Sequence, residues 1–255
     1  MLNLDLIQKE LAVQRYPLIF ATVSGAHLYG FPSPDSDYDI RGVHVLPAEE
    51  TVGLKTGPDT LEHTGFREDV EMDVVTQEVK KFMLLMLKRN GYVLEQLFSP
   101  WVMHTTSEHE ELIALGKQCI TRHHSHHYLG FAANQWKLFQ KEEPRRVKPL
   151  LYVFRVLLTG IHLMRTGELE ANLVHLNASF RFSYLDELVA MKISGKEKGA
   201  VEGGRMEFYE SEFERLLQAL ETAGAESTLP EESHAKEGLH DLLVRIRLAN
   251  LKSRE

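Results

Sequence analysis

Two aspartates, Asp37 and Asp39, stand two residues apart in the stretch SGAHLYGFPSPDSDYDIRGV. On an extended strand, side chains at that spacing point to one face. Two carboxylates so placed repel each other unless solvent, a cation or a metal stands between them. Hard divalent ions take oxygen ligands, so the pair is a candidate metal site. A third carboxylate, Asp73, lies in the apolar run EMDVV. If that run pairs beside the Asp37 strand, Asp73 completes the cluster, and Met72 and Val74 face the core. Glu71 shares the Asp73 face and is a lesser candidate. Three convergent carboxylates with substrate phosphates can hold two Mg²⁺ ions, with Mn²⁺ as a substitute. Such a pair lowers the pKa of an attacking hydroxyl and stabilises leaving pyrophosphate.

Ser24 and Gly25 supply the complementary half. A strand that ends in Ser-Gly before a short helix leaves backbone N–H groups where a phosphate can sit. Gly25 removes a side chain from the approach. No GxxxxGK[ST] run is present, which argues against P-loop ATPase chemistry. Arg41 shares the strand face of the aspartates, with two roles open: a phosphate contact or an ion pair with the carboxylates. Lys148 and Arg155 are seven apart, about two helical turns, and are expected on one face as nucleotide contacts. A competing constituent is RHHSHHYLG, where His123 and His127 are one helical turn apart and suit zinc. Without a placeable third ligand, structural or surface histidines are the plainer expectation. Gly199, Gly203 and Gly204, with Lys196 and Lys198, read as a connecting loop in which a phosphate role is the lesser reading.

The elements that must position these residues follow from periodicity. Residues 4–14 form an approximate amphipathic helix and residues 16–23 a buried strand. A second strand is expected from Asp37 to Leu46, with Gly42 marking a bulge or close packing. Thr60 to Phe66 and Val70 to Val75 read as paired strands joined by a turn. A helix is expected from Thr76, as N-cap, to Gly91, followed by a turn or two over Tyr92 to Phe98. After about residue 105 the pattern becomes helical: Glu108–Thr121, His126–Gln140, Arg146–Arg165, Arg181–Lys192, Met206–Ala223 and Glu237–Leu251. The expectation is an α/β fold: a small mixed-sheet domain over residues 1–105, then a helical domain over 106–255.

Composition narrows the class. An apolar fraction of 43% fits a chain with a packed core rather than a disordered one. The net charge of −8 argues against strong binding of duplex nucleic acid, though a nucleic acid end remains open as acceptor. The single cysteine, Cys119, excludes an internal disulfide framework and reads as a buried thiol. The first residues lack the features of a signal peptide, and the longest apolar stretch, Leu150 to Met164, is broken by Arg155 and His162. No membrane association is expected, and a cytoplasmic location is.

The motif from Ser24 to Asp39, with Asp73 as the later acidic position, resembles the DNA polymerase beta-like nucleotidyltransferase superfamily. More narrowly, the chain resembles the predicted RNA-repair-pathway nucleotidyltransferases over nearly its whole length. The stretches RNGYVLEQLFSP, YLGFAANQWKLF, KPLLYVFRVLLTGIHLMRTGEL and STLPEE carry that likeness. One departure is the absence of a His where Val153 or Phe154 stands. The resemblance implies a nucleoside triphosphate donor, Mg²⁺, and transfer of a nucleotide to a hydroxyl acceptor. RNA, protein and small molecules are all open as that acceptor. A protein-modifying, antitoxin-like enzyme and a non-catalytic nucleotide- or RNA-binding module are the alternatives.

Overall fold

The computed structural model describes residues 2–194, 201 and 205–252. Gly199, Gly203 and Gly204, with Lys196 and Lys198, lie outside the described residues.

The chain packs as two compact units, both discontinuous in sequence. The sheet unit takes residues 1–25, 37–119 and 232–255; the helical unit takes 26–36 and 120–231. In the sheet unit, α1 (Leu4–Leu11) is capped by Asn3, whose side chain accepts from the Leu6 amide. Five strands follow: β1 (Leu18–Val23), β2 (Tyr38–His44), β3 (Thr60–Arg67), β4 (Val70–Glu78) and β5 (Val102–His104). Their order is β3-β4-β2-β1-β5. Among the described residues only the β2–β4 pairing is parallel, so the sheet is mixed, as expected.

Alternation along these strands sorts the side chains. Ala21, Val23, Tyr38, Ile40, Met72 and Val74 share one face and pack with Leu6 and Ile7 of α1. The opposite face carries Phe20, which stacks on His109 and meets Phe82 edge-on. Those partners come from α4 (Val79–Leu87) and α6 (Ser107–Cys119). Asp39, Arg41 and Asp73 therefore lie on the face opposite α1. A bulge does occur in β1, between Leu18 and Phe20, rather than at Gly42. Gly42 instead marks close packing: a Cβ there would stand 2.7 Å from the Phe20 carbonyl oxygen.

The expected long helix from Thr76 is corrected. Strand β4 continues through Thr76 to Glu78, and Glu78 is the N-cap of α4. Thr76 pairs in register with Gly42, and its hydroxyl lies 2.9 Å from Nδ1 of buried His44. Asn90 then caps a separate helix, α5 (Gly91–Leu97), through the Tyr92 amide. A short α3 (Ala48–Val52) sits in the β2–β3 connection. The last helix, α12 (Lys236–Lys252), belongs to the sheet unit, where Arg247 pairs with Glu78.

The helical unit is organised on α8 (Val147–Thr166). Around it stand α7 (His124–Lys141), α9 (Leu173–Phe180), α10 (Ser183–Ile193) and α11 (Met206–Glu226). Helix α8 is long and apolar enough to cross a membrane by length and composition, but most of it is buried inside this unit. The STLPEE stretch closes the unit: Ser227 donates to the Met164 carbonyl, and the Arg122 amide donates to the Pro230 carbonyl.

Candidate functional site

Strand β1 ends at Val23, and Ser24 continues it by donating its amide to the Asp39 carbonyl at 2.8 Å. Gly25 then turns with a φ of +60°, the left-handed region where a side chain is strained. It opens the short helix α2 (Gly25–Tyr29). A Cβ at Gly25 would overlap the Asp39 carboxylate. Glycine is thus demanded twice, by backbone conformation and by the close approach of Asp39. Ser24 is buried, and its Oγ has no hydrogen-bond partner among the described residues.

The parallel β2–β4 ladder sets Asp39 directly opposite Asp73. Asp37 is half-buried one residue before β2 begins. The guanidinium of Arg41 joins the two facing carboxylates. Its Nη2 donates to Asp39 Oδ1 and to Asp73 Oδ2, both at 2.8 Å. Nη1 donates to the carbonyls of Ile40 (3.0 Å) and Asp73 (2.8 Å), and Nε donates to the Tyr92 hydroxyl at 3.1 Å. Burial pushes the Arg41 pKa down, but Tyr92, then Asp39 and Asp73, outweigh it, and the pKa is raised overall. Arg41 is a fixed cation here, and it forms the ion pair with the carboxylates that was one of its two expected roles. Thr64 on β3 donates its hydroxyl to Asp73 Oδ1 at 3.1 Å.

Sequence reasoning gave Tyr92 and Thr64 no role. Tyr92 lies in the RNGYVLEQLFSP stretch, but its link to Arg41 spans 51 residues and has no local signature. Thr64 becomes visible only through the β3–β4 register, which places it opposite Asp73.

Lys148 and Arg155 belong to the helical unit. Arg155 is fully buried, with its guanidinium 3.8 Å from the centre of the Tyr29 ring, and so holds a cation–π contact inside that unit. Lys148 is half-buried and helps to lower the Asp35 pKa, after the Ser33 hydrogen bond that lowers it most. The histidines divide among different neighbours. His123 packs against His126, His124 is buried on Thr121, and His127 lies against Tyr128 and Phe131. Burial, then Arg155, holds His127 below the usual imidazole pKa. Cys119 is buried, and burial pushes its thiol pKa up, as an inert structural thiol requires.

Whether these residues suit a divalent cation can be judged from the donor set. Two carboxylates meet across the ladder, a glycine keeps the Asp39 side open of any Cβ, and a buried hydroxyl at Ser24 lacks a partner. Among the described residues, however, no three His, Cys, Asp or Glu side chains are gathered as a metal group. The fit is to a two-carboxylate site whose charge is already offset by Arg41.

An uncharacterised protein of Methanocaldococcus jannaschii is 34% identical over 154 residues, covering 60% of this chain and 63% of that protein. An uncharacterised protein of Bacillus subtilis is 30% identical over 145 residues, covering 55% of this chain and 54% of its own. The aligned stretch thus spans less than two thirds of either relative. A family model, the RNA repair pathway DNA polymerase beta family, matches residues 1–245. With a match across almost its full length, the chain belongs to the RNA repair pathway DNA polymerase beta family.

Proposed function

We propose that this protein transfers a nucleoside monophosphate from a nucleoside triphosphate to a hydroxyl acceptor, with an RNA end as the leading candidate. The observation that carries the reading is the register of Asp39 opposite Asp73 on adjacent parallel strands, with Gly25 held against Asp39. Family membership supports the same chemistry.

On this reading Asp39 and Asp73 would hold Mg²⁺ or Mn²⁺, two ions when substrate is present, with Asp37 just before β2 as the further ligand that substrate binding would bring in. The bound metal supplies Lewis-acid stabilisation of the phosphate charge that builds up during displacement. The chain's own residues do the remainder. Ser24 Oγ and the Gly25 amide donate to the triphosphate. Asp73 orients the acceptor hydroxyl and takes its proton. The acceptor oxygen forms a bond to the α-phosphorus as the bond to the bridging oxygen breaks, and pyrophosphate leaves with that electron pair. Positioning and fixed dipoles are the main sources of rate.

The test is incubation of the purified chain with each α-labelled NTP, Mg²⁺ or Mn²⁺, and separate RNA and protein pools. Label on RNA supports the reading. Label on protein alone replaces the acceptor and favours an antitoxin-like enzyme, a role the net charge of −8 also suits. Nucleotide binding with no pyrophosphate release in any pool would reduce the protein to a binding module.

A further inference from the structure

We propose that Arg41 is an internal counter-cation that competes with a divalent metal for the charge of Asp39 and Asp73, so that metal binds more tightly as the guanidinium lets go of the carboxylates. The inference deepens the proposed transferase reading and rests on it for the identity of the metal.

One nitrogen, Nη2, lies 2.8 Å from an oxygen of each carboxylate. The other two oxygens, Asp39 Oδ2 beside Gly25 and Asp73 Oδ1 on the Thr64 hydroxyl, are not held by Arg41. A hard cation taking those oxygens would still share both carboxylates with a fixed positive charge a few ångströms away. The side chain of Arg41 is only 11% exposed, so water screens that repulsion poorly. An arginine cannot relieve the conflict by losing its proton. Relief has to come from movement.

The remaining bonds describe how that movement is restrained. Nε on the Tyr92 hydroxyl and Nη1 on the Ile40 and Asp73 carbonyls hold the guanidinium from its other edges. Tyr92 reaches the arginine from α5 and touches neither carboxylate in this network. Loosening that anchor should ease release without altering the acidic pair. A merely structural ion pair makes a different forecast. Its removal would weaken the fold, but it would not sharpen metal binding.

The experiment uses the full chain, stripped of metal by chelation and dialysis, with no nucleotide. Mn²⁺ binding is read by electron paramagnetic resonance, and thermal melting is followed with and without Mg²⁺. Arg41→Met should bind Mn²⁺ on the order of tenfold tighter than wild type. Its melting temperature should be depressed without metal and recovered when Mg²⁺ is added. Tyr92→Phe should fold normally and bind Mn²⁺ a few-fold tighter, on the order of threefold. Adding Asp39→Asn to Arg41→Met should abolish the gain. If Arg41→Met does not fold without metal, Tyr92→Phe alone decides. Mn²⁺ affinity in the variants equal to or weaker than wild type overturns the proposal, as does a gain that survives Asp39→Asn. Tighter Mn²⁺ binding with no pyrophosphate release from any NTP leaves Arg41 as the competitor and removes the transferase. Transfer by wild type with unchanged Mn²⁺ affinity in both variants does the reverse.

Discussion

Gly25→Ala is the sharpest single perturbation of this architecture. Alanine at a φ of +60° carries about 1–2 kcal/mol of backbone strain. The added methyl would also overlap the Asp39 carboxylate, so one of the two must move. If Asp39 gives way, it loses its bond to Arg41, and a hydrogen bond to a charged group is worth about 1.5–3 kcal/mol. Together these effects predict a loss of about 2.5–5 kcal/mol, and a melting temperature lower by on the order of 10 °C. Transfer activity should fall by about 100-fold or more, because the carboxylate is displaced from its working position. Thermal melting by circular dichroism, beside labelled-NTP transfer, measures both. Gly130→Ala is the matched control. It lies exposed in α7 with nothing within 4 Å of the added Cβ, so it should stabilise by about 0.5–1 kcal/mol. A Gly25→Ala protein that melts within about 1 °C of wild type would refute the reasoning.

Asp39→Asn should reduce transfer by about 1,000-fold or more while the far-ultraviolet spectrum stays native, and activity within about threefold of wild type would contradict its role. Glu78→Ala removes both the cap of α4 and the carboxylate partner of Arg247, leaving a largely buried guanidinium with its Leu46 carbonyl contact but no counter-charge from Glu78. Urea denaturation should show a loss of about 3–5 kcal/mol, partly recovered by adding Arg247→Met; no recovery would mean that the charge is not what matters. His44, His109 and His127 are each held below the usual imidazole pKa, chiefly by burial. Their unfolded forms therefore take up protons first. The stability they contribute is complete above about pH 6.5 and is lost as pH falls toward their folded values. Melting at pH 5.5 should be lower than at pH 7.5, and an unchanged or higher value would contradict this.

How far the sequence foretold these features depends on how local their causes are. Alternation placed Met72 and Val74 toward the core and Asp73 on the other face, and both apolar residues are buried. The mixed sheet followed by helices was legible for the same reason, since strand and helix periods are written in neighbouring residues. The end of β4 was not. Thr76 suits a helix cap and a strand equally, and its contact with His44, 32 residues away, decides for the strand. Helix α9 was missed because its eight residues are short for a periodic signal, and the caps at Asn172 and Arg181 define it. The return of α12 to the sheet unit rests on Arg247 meeting Glu78, 169 residues earlier, and on Arg245 meeting Glu111. Arg41 shows the same limit: its strand face was readable, whereas its hold on both carboxylates depends on the β2–β4 register.

The central claim is that Asp39 and Asp73 gather metal beside Gly25 to act on a nucleoside triphosphate. Anomalous diffraction from crystals grown with Mn²⁺ and a non-hydrolysable NTP analogue tests it most directly. The account predicts a manganese peak about 2.0–2.2 Å from carboxylate oxygens of both aspartates, with the triphosphate against Ser24 and Gly25. Manganese and nucleotide bound elsewhere on the protein, or a peak that leaves Asp73 uncoordinated, would contradict it.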